Sequence, residues 1–259
     1  IEMAYSRQGI ALSHRKYTLD IVRDTSLMGA KPVDTPTDSN VKFDNEKGDL
    51  THEHVKYRRF VGKLNYLTIT SPDISFAVGV VSQFMSAPRK PYWDAVLRIV
   101  KYLKNAPGHG FLFNNHGHLR VMSHSDGDKK CGCPMDRRSI SGYCVFVGGN
   151  LVSWKSKKQP LVSRSSAEDE YRAMTHAVSE LTWARMLLVE IGFTAPQTTL
   201  LHCDNQFAIH IALNPVFHKC TKHIKEDCHF IREKIKRREI ILHHTRSKDQ
   251  IAYLFTQSL

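Results

Sequence analysis

The hydrophobic period of this chain changes once, near residue 110, and that change limits what it can fold into. Before it, large apolar residues recur at spacings of three and four, the mark of one helix face. Tyr57, Phe60, Val61, Leu64 and Leu67 make a first such face. Ser71-Pro72-Asp73 opens a second helix, with proline near its first turn. It continues through Ile74, Ala77, Val78, Val81 and Phe84 and is stopped by Pro88 and Pro91. Trp93, Val96, Leu97, Val100 and Leu103 form a third, ended by Ala106-Pro107-Gly108. Residues 57–109 therefore read as a small helical connector.

From Phe111 the spacing becomes that of strands. Phe111 to Phe113 and Leu119 to Ser125 read as strands around a turn at Gly117. Tyr143 to Val147 and Leu151 to Lys155 flank Gly148-Gly149-Asn150, a hairpin signal. A long helix follows, capped by Ser165 with Glu168 as a capping box. Its stripe is Tyr171, Met174, Val178, Leu181, Ala184, Leu188 and Ile191, with Gly192 at the C-terminal cap. Leu200 to Cys203 is a strand, Phe207 to Leu213 a helix, Thr221 to Arg237 a basic helix, Ile240 to His243 a strand and Asp249 to Phe255 a last helix. This order predicts a mixed five-stranded sheet flanked by helices, an α/β domain over residues 110–259.

Residues 1–30 read as a strand pair and a helix, and residues 31–56 as a polar, breaker-rich linker. The chain opens on Ile1 with no visible signal peptide, and reads as a fragment of something longer. No apolar run reaches 18 residues, so no membrane partner is expected. Six cysteines in 259 residues fit reduced thiols, and so an intracellular, cytoplasmic or nuclear protein. Lys and Arg number 37 against 25 Asp and Glu, a net charge of +12. So basic a domain points to a polyanionic partner, the alternative being a merely soluble basic surface.

Three acids stand at special places: Asp126 after a long strand, Glu170 in the first turns of the long helix, and Asp204 at the end of a strand. Convergent carboxylates repel unless a cation lies between them. Mg²⁺ takes carboxylate and phosphate oxygens, and two such ions clamp the attacking and leaving oxygens of a phosphodiester. His218, Cys220, His223, Cys228 and His229 form a second cluster. It lacks the paired spacing of a zinc site, and reads first as helix surface and packing. A zinc-dependent interaction module is the alternative there.

The sequence also resembles a known family. Tyr57-Arg58-Arg59-Phe60-Val61-Gly62-Lys63-Leu64-Asn65-Tyr66-Leu67 followed by Pro72-Asp73-Ile74 is similar to the end of a copia-type (Ty1/copia) retrotransposon reverse transcriptase. Ser125-Asp126-Gly127-Asp128, Arg137 to Tyr143, Trp154 to Gln159, Ser165 to Tyr171, Cys203-Asp204-Asn205-Gln206, Thr221 to Ile224 and Asp249 to Thr256 resemble its ribonuclease H domain. The resemblance implies a reverse transcriptase remnant over residues 1–56, a connector over 57–109 and a ribonuclease H-like domain over 110–259. It implies cleavage of the RNA strand of an RNA–DNA hybrid with two Mg²⁺ (or Mn²⁺) ions. Asp126, Glu170 and Asp204 match the first three metal-binding carboxylates. Arg137, Arg138, Lys155, Lys157, Lys158, Asn205, Gln206 and Lys222 are the residues expected to hold the hybrid. The remaining Pol segments are the other partners implied. No Tyr-x-Asp-Asp occurs, so no polymerase centre is present.

Two departures bear on activity. Where the family has its fourth carboxylate, this chain has Tyr253, a poor Mg²⁺ ligand. Asp249, a turn earlier, is a weaker substitute. After Asp128 the family's Trp-Ala-Gly is replaced by Lys129-Lys130-Cys131-Gly132. The expectation is impaired cleavage, the alternative a non-catalytic nucleic-acid-binding remnant.

Overall fold

The computed structural model describes residues 1–38, 49–50, 53–128, 138–163, 165–194, 198–214 and 225–258. The chain forms two units, one built on Ile1–Asn114 and the other within residues 115–256.

In the first unit, strands β1 (Glu2–Tyr5), β2 (Gly9–Ser13) and β3 (Gly110–Asn114) form an antiparallel sheet in that order. Helices α1 (Arg15–Asp24), α2 (His54–Leu67), α3 (Ser75–Ser82) and α4 (Lys90–Asn105) share one core. Every apolar residue expected on the α2 face is buried, and Tyr57 donates its phenol to the Val81 carbonyl at 2.7 Å. Pro91 sits in the first turn of α4 and so begins a helix; it does not end one, since α3 already stops at Ser82. One expectation fails. Phe111 to Phe113, assigned from the sequence to the α/β domain, pair with β2 across Ala11 and Leu12. Periodicity marks a strand but carries no information on its partner.

The second unit has the sheet order β6-β5-β4-β7-β8, where β4 is Val121–Asp128, β5 Ile140–Val147, β6 Asn150–Lys158, β7 Thr199–Cys203 and β8 Ile240–His244. The β4, β5 and β6 strands run antiparallel, whereas β7 and β8 add in parallel. The β5–β6 turn has Gly148 and Gly149 at φ +58° and +80°, as a two-residue hairpin requires. Helices α5 (Ser166–Glu190), α6 (Gln206–Leu213) and α7 (Lys225–Lys236) bury their apolar residues against Val121, Tyr143, Val145 and Leu201. The long-helix stripe is buried from Tyr171 to Leu188, but Ile191 lies beyond the helix and is exposed. The capping box is half made: Ser165 Oγ accepts from the Glu168 amide, while the Glu168 carboxylate turns to Arg172. The last helix is two 3₁₀ turns, Ser247–Asp249 and Ile251–Phe255. The second covers the other face of the sheet, where Phe255 fills the space a side chain at Gly142 would need.

Candidate metal-binding site

The strand β4 runs three residues past its expected end, so Asp126 lies inside it, opposite Gly142 of β5. The next residue, Gly127, has no side chain, and this lets α5 approach: its backbone amide donates to Glu170. β7 is parallel to β4 and carries Asp204 to the same end of the sheet, just beyond Cys203. Three segments far apart in sequence thus bring their acids together.

The side chains of Asp126 and Glu170 share a hydrogen bond, and both are buried. Donor atoms of Glu170, Cys203 and Asp204 all lie within 4.8 Å of one another. Burial pushes the Asp126 carboxyl well above the usual carboxylate range, and the Asp204 and Asp128 charges add to this against a hydrogen bond from Thr256. Glu170 is raised by burial and then by Asp126 and Asp204. Such mutual disfavour of charge is what a cation between the groups relieves. Cys203 was not expected at the site. Its thiol approaches Glu170 Oε2 at 3.8 Å, and burial raises it well above its ordinary value.

Hydroxyls surround two of the acids. Asp204 Oδ2 accepts from Tyr253 Oη at 2.7 Å and from Ser247 Oγ at 2.8 Å. Asp126 Oδ2 accepts from Thr256 Oγ1. Gln250, also missed from the sequence, is buried and joins the last turn to β4: its Nε2 donates to the Ser125 carbonyl at 3.0 Å, and its Oε1 lies 3.1 Å from His124 Nδ1. Asp249, the weaker substitute ligand, is exposed in the preceding turn.

The residues expected to hold nucleic acid separate into groups. Lys155, Lys157 and Lys158 lie on the edge strand β6, the first two exposed, and Arg138 is exposed just before β5. Gln206 is exposed at the start of α6, whereas Asn205 caps that helix by accepting from the Ala208 amide at 2.9 Å. Arg137 and Lys222 lie outside the described residues, as do Lys129 and Lys130. Basic residues around α7 are engaged only in part, with Lys236, Arg237 and Arg238 exposed. Arg232 donates to the Ile211 and Asn214 carbonyls at 2.7 Å each, Lys234 pairs with Glu239 and Arg237 with Glu233. Of the His and Cys cluster, Cys228 is buried in the core and His229 is exposed, while His218, Cys220 and His223 lie outside the described residues. Among the described residues no helix is long and apolar enough to cross a membrane.

No protein-family model matches the chain. It is 39% identical over its whole length to the retrovirus-related Pol polyprotein from transposon RE2 of Arabidopsis thaliana, and 39% identical over 97% of its length to that from transposon RE1 of the same plant. It spans only 18% and 17% of those two relatives. An uncharacterized mitochondrial protein of Arabidopsis thaliana is 37% identical over 71% of this chain and 76% of its own length. Among solved structures, the foamy viral protease-reverse transcriptase in complex with RNA/DNA hybrid overlays with a TM-score of 0.53 at 8% identity, over 95% of this chain and 28% of that one. This is a likeness of fold, and the five-stranded mixed sheet is the ribonuclease H-like α/β arrangement expected from the sequence.

Proposed function

Since this chain belongs to the copia-type retrotransposon Pol family, we propose that its second unit descends from a nuclease that hydrolyses the RNA strand of an RNA–DNA hybrid, and that its own activity is impaired. The convergence of Asp126, Glu170 and Asp204 carries this reading. Their oxygens are the donors that hard divalent ions prefer. In this reading the three carboxylates hold Mg²⁺ or Mn²⁺, two ions in the intact family site. Bound there, such ions supply Lewis-acid stabilisation of the scissile phosphate and a water nucleophile. Burial of Asp126 and Glu170 keeps bulk water from competing for the oxygens, and Gly127 sets how closely helix and strand can bring them. Lys155, Lys157, Lys158 and Arg138 would meet the phosphates without reading sequence. Residues 1–56 read as the tail of a reverse transcriptase and 57–109 as its connector. The other Pol segments are its proposed partners.

The impairment follows from Tyr253. A phenol at the fourth ligand's place donates a hydrogen bond to Asp204 and supplies no charge. Incubation of a labelled hybrid with Mg²⁺ or Mn²⁺ tests both parts. The unmodified chain should cut slowly or not at all, and Tyr253→Asp should cut faster. Rapid cutting by the unmodified chain removes the impairment. No cutting by either, with hybrid still bound, favours the non-catalytic binding remnant, the reading that Tyr253 itself supports.

A further inference from the structure

We propose that Tyr253 and Thr256 are positioning residues, whose hydroxyls aim Asp204 and Asp126 at a divalent ion. The proposal rests on the metal-site reading above and deepens it. It gives Tyr253 a role other than that of a lost ligand.

The argument starts from the period of the last turn. In a 3₁₀ helix, residues three apart eclipse one another. Tyr253 lies in that turn, with Gln250 and Thr256 three residues to either side as its caps and joined to it by backbone bonds, and each of the three bonds a different part of the site's framework. Gln250 holds the Ser125 carbonyl next to Asp126, Tyr253 holds Asp204, and Thr256 holds Asp126. The turn is anchored to the sheet, because Gln250 Nε2 donates to the Ser125 carbonyl of β4 and Phe255 is packed over Gly142 of β5. Tyr253 and Ser247 bond the same oxygen of Asp204, Oδ2, which fixes that carboxylate's rotation. Partners of this kind, one shell outside the ion, typically change its affinity 10- to 100-fold when removed.

The test is Mn²⁺ binding by the full chain, read from the electron paramagnetic resonance of free Mn²⁺, with a thermal melt of each variant. Thr256→Val keeps the shape and removes the donor, whereas Thr256→Ser keeps the donor. Tyr253→Phe removes the phenol at a partly exposed position. Expected are at least 10-fold weaker binding by Thr256→Val and by Tyr253→Phe, near-parental binding by Thr256→Ser, and tighter binding by Tyr253→Asp. Thr256→Val is also made in the Tyr253→Asp background, so that a weak parent still gives a comparison. Parental affinity in Thr256→Val and Tyr253→Phe overturns the proposal and leaves the metal site standing. If Thr256→Val melts early, Tyr253→Phe decides. Absence of Mn²⁺ binding in both the parent and Tyr253→Asp overturns the metal site itself, and the positioning role with it.

Discussion

Gly127 and Asp169 stand so close that no side chain fits between them. A β-carbon on Gly127 would lie 2.5 Å from the Asp169 carbonyl carbon and 2.7 Å from the Glu170 nitrogen, both backbone atoms. Gly127→Ala must therefore push α5 off β4. Overpacking of this kind costs about 1–3 kcal/mol. The expected result is a lower urea midpoint together with weaker divalent-ion binding, since Glu170 moves with the helix. An unchanged midpoint would show that the helix yields freely there.

The carboxyl cluster predicts an unusual pH dependence. Asp126 and Glu170 both titrate above their unfolded values in the fold, because burial disfavours their charged forms and the Asp204 charge adds to this in both. As pH rises from the ordinary carboxylate range toward the raised folded values, the folded state keeps protons that the unfolded state has lost. Stability from these groups therefore falls with rising pH across that window. Glu170→Gln removes one charge. Without divalent ions it should be more stable than the parent at pH 8, by at least about 1.4 kcal/mol, the equivalent of one pK unit. The gap should shrink toward pH 5. His124, lowered to about 4 by burial and by His202, acts in the opposite direction in both proteins and cancels in the difference. Urea melts at the two pH values provide the check, and a variant less stable than the parent at pH 8 contradicts it.

Arg172 and Glu168 form a buried ion pair at 2.7 Å one helical turn apart. Removing only the cation takes the Arg172 charge away from a buried carboxylate, and breaking one side of a buried pair typically costs about 3–5 kcal/mol. Arg172→Met should thus destabilise more than the double change Arg172→Met with Glu168→Leu. A double-mutant cycle in denaturant measures this, and additive losses would mean that the pair is not coupled.

Ser165 and its capping position were legible from local chemistry, whereas the turn of the Glu168 carboxylate to Arg172 was not, because it depends on side-chain placement within the fold. The apolar faces of α2 to α5 were legible because burial imposes a period on a helix wherever it packs. The partner of Phe111 to Phe113 was not, since a strand's pairing is set by residues a hundred positions away. Asp126, Glu170 and Asp204 could be named from the sequence because the motifs around them resemble the family's, although Asp126 lies inside its strand and not after it. Gln250, Thr256 and Cys203 could not, because a lone Gln, Thr or Cys has no signature until the fold shows what it touches.

Lys155 and Lys157 face solvent on β6, whereas Arg237, also exposed, is paired with Glu233, and this difference predicts the salt dependence of hybrid binding. Every phosphate that the protein ceases to neutralise lowers the slope of log affinity against log salt by about 0.9 for a B-form duplex, a guide to a hybrid. Lys155→Ala with Lys157→Ala should therefore reduce the slope by up to about 2, and weaken binding to all sequences alike. Arg237→Ala, which opens the pair with Glu233, should leave the slope nearly unchanged. Fluorescence anisotropy of a labelled hybrid, over roughly 50–200 mM salt and with Asp126→Asn present to prevent cutting, measures the slopes. A parental slope in the double variant would remove β6 from the interface, and a large drop in Arg237→Ala would put α7 in its place.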